Sequence, residues 1–260
     1  MTQTPLFAEE RRDEILRLLG ERSKLVLPEL CTYFNVSPAT IRNDLRDLER
    51  AGKLRRTHGG AIPATKAAFE LTSRVKEVEY IDEKRRIAAH AETLIEDGDT
   101  ILLDTGTTTM ELARLLTSRS ALTIVTNDVK IALFLEENTD ASVFLLGGML
   151  RRHFHSTTGL SVVSQVRNLN VDKAFMAANG LSVEKGFSTP SVELANVKTA
   201  MIPTASMAIF LVDSHKFGNV SFAHFAHIKE ADMLITDSGA DPQFIKELQI
   251  KHGDLDIRVV

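Results

Sequence analysis

Cysteine occurs once in the 260 residues, as Cys31, which excludes an intramolecular disulfide framework and suits a reducing compartment. It falls in the apolar pattern of a helix, where an inert core thiol is the ordinary role. Long hydrophobic runs are missing too: no stretch nears the ~20 apolar residues of a spanning helix. Arg11-Arg12 is followed by no apolar run, so no secretory leader is read there. These absences lead us to expect a soluble, cytoplasmic protein without membrane association. Repeats and low-complexity tracts are absent as well. So is a strong excess of one charge: the net is −4, which over the whole chain would speak against a nucleic-acid binder. The total hides an uneven distribution. Residues 1–66 hold 12 Lys+Arg and 9 Asp+Glu, net +3, leaving 19 and 26, net −7, for the rest. The front is only mildly basic, so tight DNA binding calls for more than one copy of it.

What is present begins with Val36-Ser-Pro-Ala-Thr-Ile-Arg-Asn-Asp-Leu-Arg-Asp-Leu-Glu-Arg-Ala-Gly52. Ser37 can cap a helix, Pro38 suits its first position and Gly52 supplies a left-handed stop, which predicts a helix over 38–51. Ile41, Leu45 and Leu48 make its buried stripe, and Ala39, Arg42, Asn43, Arg46 and Arg50 face the other way. Arg reads guanine and Asn adenine in a major groove. A solvated cationic face, neutralised by Asp44, Asp47 and Glu49, is the plainer alternative. The flanks favour DNA: helices are expected over 8–19, stopped by Gly20, and over 27–34, with Leu25-Val26 in the link between them. Strands 54–57 and 61–62 would form a basic wing around His58-Gly59-Gly60. Ser37, Thr40, Arg42, Asn43 and Arg46 are the candidate base and backbone contacts, with Arg55, Arg56 and His58 on the flanking backbone. We place this winged helix-turn-helix at 1–63 and a linker at 64–79, with a helix over 69–79 as the alternative.

From Tyr80 onward, strands and helices alternate, as expected of an α/β domain (80–260) with a mostly parallel sheet covered on both faces. Strands are expected over 100–103, 123–125, 143–146, 173–177, 208–212 and 233–236. Helices are expected over 81–95, 110–116, 129–137, 160–166 and 192–202. Such sheets bind ligands at the carboxyl ends of their strands. Asp104-Thr105-Gly106-Thr107-Thr108-Thr109 offers hydroxyls and a helix start, a phosphate cradle. Asn127 follows the second strand, and Gly147, Gly148 and Arg151 follow the third. Asp213 and Lys216 follow a later strand and add a carboxylate and an ammonium. Together they suit an anionic, polyhydroxylated ligand. His153 and His155 lack the further Cys or regularly placed carboxylate that a metal needs, so neither metal nor cofactor is expected.

These motifs, in this order, resemble the DeoR family of bacterial transcriptional regulators over nearly the whole chain. The resemblance rests on 36–45 and 56–61, on Asp104 to Thr109, Thr126-Asn127, Leu145 to Gly148 with Arg151, Asp172 to Phe175, Lys198, and Asp213 to Gly218. It implies a winged helix-turn-helix followed by a sensor domain similar to ribose-5-phosphate isomerases and CoA transferases. It also implies a repressor of a sugar or polyol catabolic operon, controlled by a phosphorylated intermediate. The partners expected are double-stranded operator DNA, a phosphorylated sugar or polyol, and further copies of the chain in a dimer or tetramer. Asn179-Gly180 and the cationic run Arg151-Arg152-His153-Phe154-His155 depart from the family's commoner pattern. The rival expectation is an active sugar-phosphate isomerase or transferase with an appended DNA-binding module, using Asp104, Glu193, Asp213 and Lys216 as acid and base.

Overall fold

A computed structural model describes residues 7–21, 25–57, 59–63, 70 and 73–260. The chain divides into two compact units, Met1–Lys76 and Glu77–Val260.

The first unit runs α1 (Ala8–Glu21), β1 (Leu25–Val26), α2 (Leu27–Phe34), α3 (Pro38–Arg50), β2 (Leu54–Thr57) and β3 (Gly60–Pro63). Asn35, left-handed at φ 50°, turns the chain out of α2. Ser37 is extended and its hydroxyl accepts from the Thr40 amide at 3.2 Å, a cap that contributes about 1 kcal/mol. Gly52, at φ 70°, follows the last turn of α3. Ile41, Leu45 and Leu48 are buried against Ile15, Leu16, Leu19, Leu30 and Leu54, as the spacing predicts. Leu25-Val26 is a strand rather than a plain link: β1 and β2 flank β3 in an antiparallel sheet. Two residues are too few for alternation to show in sequence. A Cβ on Gly60 would overlap the Leu25 carbonyl, so glycine is what lets β1 approach β3. The first helix passes Gly20 to end at Glu21.

Helix α4 (Ser73–Val78) spans the division between the units, inside the stretch expected as linker. Residues 64–69 and 71–72 of that stretch lie outside the described residues.

The second unit opens with α5 (Ile81–Glu92), β4 (Thr100–Leu103), α6 (Thr107–Leu115), β5 (Thr123–Thr126), α7 (Val129–Asn138) and β6 (Ser142–Leu145). A hairpin of β7 (Met149–Leu150) and β8 (Thr157–Thr158) precedes α8 (Leu160–Val166) and β9 (Val171–Ala177). Then come β10 (Gly180–Ser182), β11 (Gly186–Thr189), α9 (Val192–Met201), β12 (Ala205–Leu211), β13 (Ala223–Ala226), β14 (Met233–Thr236), α10 (Pro242–Lys251) and β15 (Asp256–Val259). The main sheet is seven-stranded and parallel, in the order β15-β14-β12-β9-β4-β5-β6.

Successive side chains of the central strands alternate between two cores. Ile101, Leu103, Phe175, Ile209 and Leu211 pack with apolar residues of α5, α6 and α7. Leu102, Ala174, Met176 and Phe210 pack with those of α8, α9 and α10. A strand buried on both faces reads as a continuous apolar run, which is why these strands were legible. The sequence reading passed over β7, β8, β10, β11, β13, β15 and α10. The first five are two to four residues long, too short for a period. Strand β15 lies at a sheet edge and is half-exposed. Among the described residues, no helix is long and apolar enough to cross a membrane.

Candidate functional site

Helix α3 exposes Ala39, Arg42, Asn43, Arg46 and Arg50 on one side. Its carboxylates do not neutralise that face. Asp44 is buried and accepts from Arg11 Nε at 2.6 Å and Arg12 Nε at 3.2 Å, while Asp47 takes Arg12 Nη2 at 2.7 Å. Both therefore bind α3 to α1. Among the described residues, no carboxylate pairs with Arg42, Arg46 or Arg50. Asn43 Oδ1 accepts from Arg46 Nη1 at 3.2 Å, and the Ser37 and Thr40 hydroxyls lie 2.9 Å apart. On the wing, Arg55 is exposed. Arg56 is held by Glu49 through both its Nε, 2.6 Å, and its amide, 2.9 Å. Those bonds keep the Glu49 carboxyl below the usual range, so Arg56 is already half-neutralised where the sequence offered an open cation. His58 lies outside the described residues.

In the second unit the strand order reverses at β4: the chain steps outward through β5 to β6, then returns to lay β9 on β4's other side. A crevice forms at the carboxyl ends of strands where the winding changes direction. Asp104 stands there at the end of β4, fully buried. Its Oδ2 accepts from Lys198 Nζ and from the Ala177 amide at 3.0 Å at the end of β9, and Lys198 also donates to the Ala177 carbonyl at 2.9 Å.

The neighbouring loops join this point through polar bonds. Thr105 donates its hydroxyl to Asp128 Oδ2 at 2.6 Å, while Asp128 Oδ1 caps α7 by accepting the Lys130 and Ile131 amides. Burial pushes the Asp128 carboxyl above its ordinary value, opposed by the Thr105 hydroxyl and the two amides. Asn127 Nδ2 donates to the Thr157 carbonyl at 3.1 Å, and the Val129 amide to that of His155 at 2.9 Å, tying β5's end to the β7–β8 hairpin. That hairpin's turn holds His153 and His155 at positive φ, and Arg151 lies over the Phe154 ring at 4.4 Å. Glu193, at the start of α9, sits below the usual carboxylate range through its own amide, the Ser191 hydroxyl and the charge of Arg151.

Buried polar oxygens without a hydrogen-bond partner gather along this edge. They include Asp104 Oδ1 after β4, Asn127 Oδ1 after β5, Asp213 Oδ1 after β12 and Thr236 Oγ1 at the end of β14, with Ser156 Oγ beside the hairpin. A buried acceptor left unmet costs about 1–3 kcal/mol. Such a row suits a ligand rich in hydroxyl donors.

The sequence-derived candidates do not all meet. Thr105, Gly106 and Thr107 are half-exposed at the start of α6, but Thr108 and Thr109 are buried and the Thr109 hydroxyl bonds the Gly106 carbonyl. Gly106 is required by crowding, since a Cβ would lie 2.9 Å from Ala177 Cβ. The Gly147 amide goes to Gln165 Oε1 at 3.0 Å rather than into the crevice. Gly148 packs so closely that a Cβ would sit 2.6 Å from the Thr158 carbonyl. Asp213 and Lys216 form their own cluster with His215 at the end of β12, beyond β9 from Asp104. No hydrogen bond among the described residues joins that cluster to 105–109. Asp128 was not among the candidates, and Lys198 entered only through the resemblance; nothing local in sequence signals its pairing with Asp104, 94 residues away. Among the described residues, no group of three or more His, Cys, Asp or Glu could hold a metal.

A helix-turn-helix with a cationic outer face, followed in the chain by an α/β unit with buried polar groups at its winding reversal, is the organisation of a ligand-sensing transcriptional regulator. Residues 11–67 match the family described as a DeoR-like helix-turn-helix domain, and 79–238 match the DeoR C-terminal sensor domain. The chain is 36% identical over 240 residues to the HTH-type transcriptional regulator GlpR of Haloferax volcanii, covering 92% of this chain and 94% of that one. To the HTH-type transcriptional repressor GlcR of Bacillus subtilis it is 35% identical over 234 residues, 89% of each. Among solved structures, a D-ribose-5-phosphate isomerase with phospho-erythronic acid superposes at a TM-score of 0.40 and 22% identity, over 53% of this chain and 54% of the other. The chain belongs to the DeoR family of DNA-binding transcriptional regulators.

Proposed function

We propose that the chain is a cytoplasmic, homo-oligomeric repressor of a sugar or polyol catabolic operon, and that a phosphorylated sugar or polyol is its effector. The row of buried, unpartnered oxygens along the carboxyl edge carries the reading, because sugar hydroxyls would satisfy Asp104, Asn127 and Asp213. Phosphate would take the first-turn amides of α6, which no intrahelical carbonyl can reach, together with the half-exposed Thr105, Gly106 and Thr107 and the guanidinium of Arg151. Ser37, Thr40, Arg42, Asn43 and Arg46 would meet the operator, flanked by Arg55, Arg56 and His58. The relatives' names as regulators and a repressor support the class.

A role for Asp104 or Glu193 as general acid is disfavoured by what holds them. Asp104 is locked onto Lys198 and the Ala177 amide, and Glu193 is kept ionised at the exposed start of α9. A general acid needs a mobile proton within reach of the substrate.

The test is calorimetry with glucose 6-phosphate, fructose 1-phosphate, ribose 5-phosphate and sorbitol 6-phosphate, each beside its unphosphorylated parent. At least one phosphoester should bind, and Thr107→Val should weaken it tenfold or more while DNA binding without effector stays unchanged. Equal affinity for parent and phosphoester would reject the phosphate cradle.

A further inference from the structure

Where the second unit begins, residues 77–80 are tied to two strand-end loops. Glu77 Oε1 accepts from Lys130 Nζ at 2.7 Å. The Lys130 amide in turn donates to Asp128, whose other carboxylate oxygen holds the Thr105 hydroxyl. At the other end, the Tyr80 ring stacks on the His215 ring, centroids 3.4 Å apart and planes 21° apart. His215 Nδ1 lies 3.6 Å from Asp213 Oδ1, one of the buried oxygens without a hydrogen-bond partner. Each end of the segment is therefore a short relay away from a group proposed to meet the effector.

Tyr80 also carries strain. It is left-handed at φ 52°, a conformation that costs a residue with a side chain, and it persists only where its surroundings hold it. The His215 stack is one such hold. Another is the buried Lys84, whose amide donates to the Tyr80 carbonyl at 3.2 Å and whose ammonium bonds the Glu79 carbonyl. A segment kept in a strained form by such contacts is released from it when either contact is lost.

We infer that Glu77 and Tyr80 are positioning residues that transmit occupancy of the sensor crevice to the DNA-binding unit. A ligand taking the Thr105 hydroxyl or the Asp213 oxygen displaces Asp128 or His215, and the 77–80 segment follows. This rests on the proposed effector site, and supplies the physical link that site needs for regulation.

The experiment uses the full chain and a duplex selected by the wild-type protein from a random library. Glucose 6-phosphate, fructose 1-phosphate, ribose 5-phosphate and sorbitol 6-phosphate serve as probes. Ligand affinity is read by calorimetry and DNA affinity by anisotropy, with and without ligand. For Tyr80→Ala and Glu77→Gln, both separate affinities stay within threefold of wild type, while the ligand-induced change in DNA affinity falls below threefold. Tyr80→Phe keeps the ring and the wild-type response, and the retained separate affinities of Tyr80→Ala exclude a loss of folding. Two results overturn the inference: a full response in Glu77→Gln and Tyr80→Ala, or a tenfold loss of ligand affinity in either, which would make them ligand contacts. A wild-type protein that binds a probe without altering its DNA affinity overturns it too. If wild type binds none of the four, the effector site itself fails and the relay with it.

Discussion

Asp128 shows how one side chain can serve both fold and site. It caps α7, receives the Thr105 hydroxyl, and is only 6% exposed. Burial raises its pKa, so over the interval between the ordinary and the raised value the folded chain binds more protons than the unfolded one. Stability contributed by this group is therefore present at low pH and lost as pH rises through the folded value. Asparagine caps a helix as well as aspartate does and carries no charge to desolvate. Asp128→Asn should thus gain stability relative to wild type as pH rises above the ordinary carboxylate value of 3.8, the difference in melting temperature growing with pH until the raised value is passed. A difference that shrinks over that range would mean the carboxylate is favoured in the fold. Asp104 is the contrasting case. Its charge is matched by Lys198, and replacing either partner alone would strand the other in the core.

At the scale of elements, α3 is specified twice. Locally, Ser37, Pro38 and Gly52 set its ends and the apolar spacing sets its buried face. Through space, Asp44 fastens it to α1 by taking bonds from Arg11 and Arg12 while 2% exposed. Asp44→Ala removes the buried carboxylate that Arg11 and Arg12 both meet and should cost about 3–5 kcal/mol. In a unit this small that is most of the available stability. Urea unfolding followed by circular dichroism should show the first unit melting early in this variant while the second keeps its midpoint. Unchanged unfolding would mean that the Arg11–Asp44 pair is dispensable. The wing illustrates the reverse: Arg56 looks like a phosphate contact from sequence, and only the fold brings Glu49 against it.

For the whole molecule, a net charge of −4 and a front with a net of only +3 limit the phosphates one chain can neutralise. In the proposed homo-oligomer, linked copies would supply the missing contacts, the second being made at high effective concentration. A duplex with two half-sites should be bound at least tenfold more tightly than one with a single half-site in an anisotropy titration at fixed salt. Equal affinities would mean that one copy suffices.

What the sequence determined by itself is what depends on near neighbours. Caps, turns and a 3.6-residue period place α3, and unbroken apolar runs place the central parallel strands, because a strand covered on both faces can be little else. The resemblance carried by the ordered motifs named the family on the same local evidence. Only the tertiary structure decided which charges meet: Asp104 with Lys198, Asp44 with Arg11, Glu49 with Arg56, Glu77 with Lys130. It also gave the Gly147 amide and the Thr109 hydroxyl partners within the fold. The physical reason is range. Hydrogen bonds and ion pairs act over a few ångströms, and which groups come that close is set by strand order and helix packing, which no local pattern encodes.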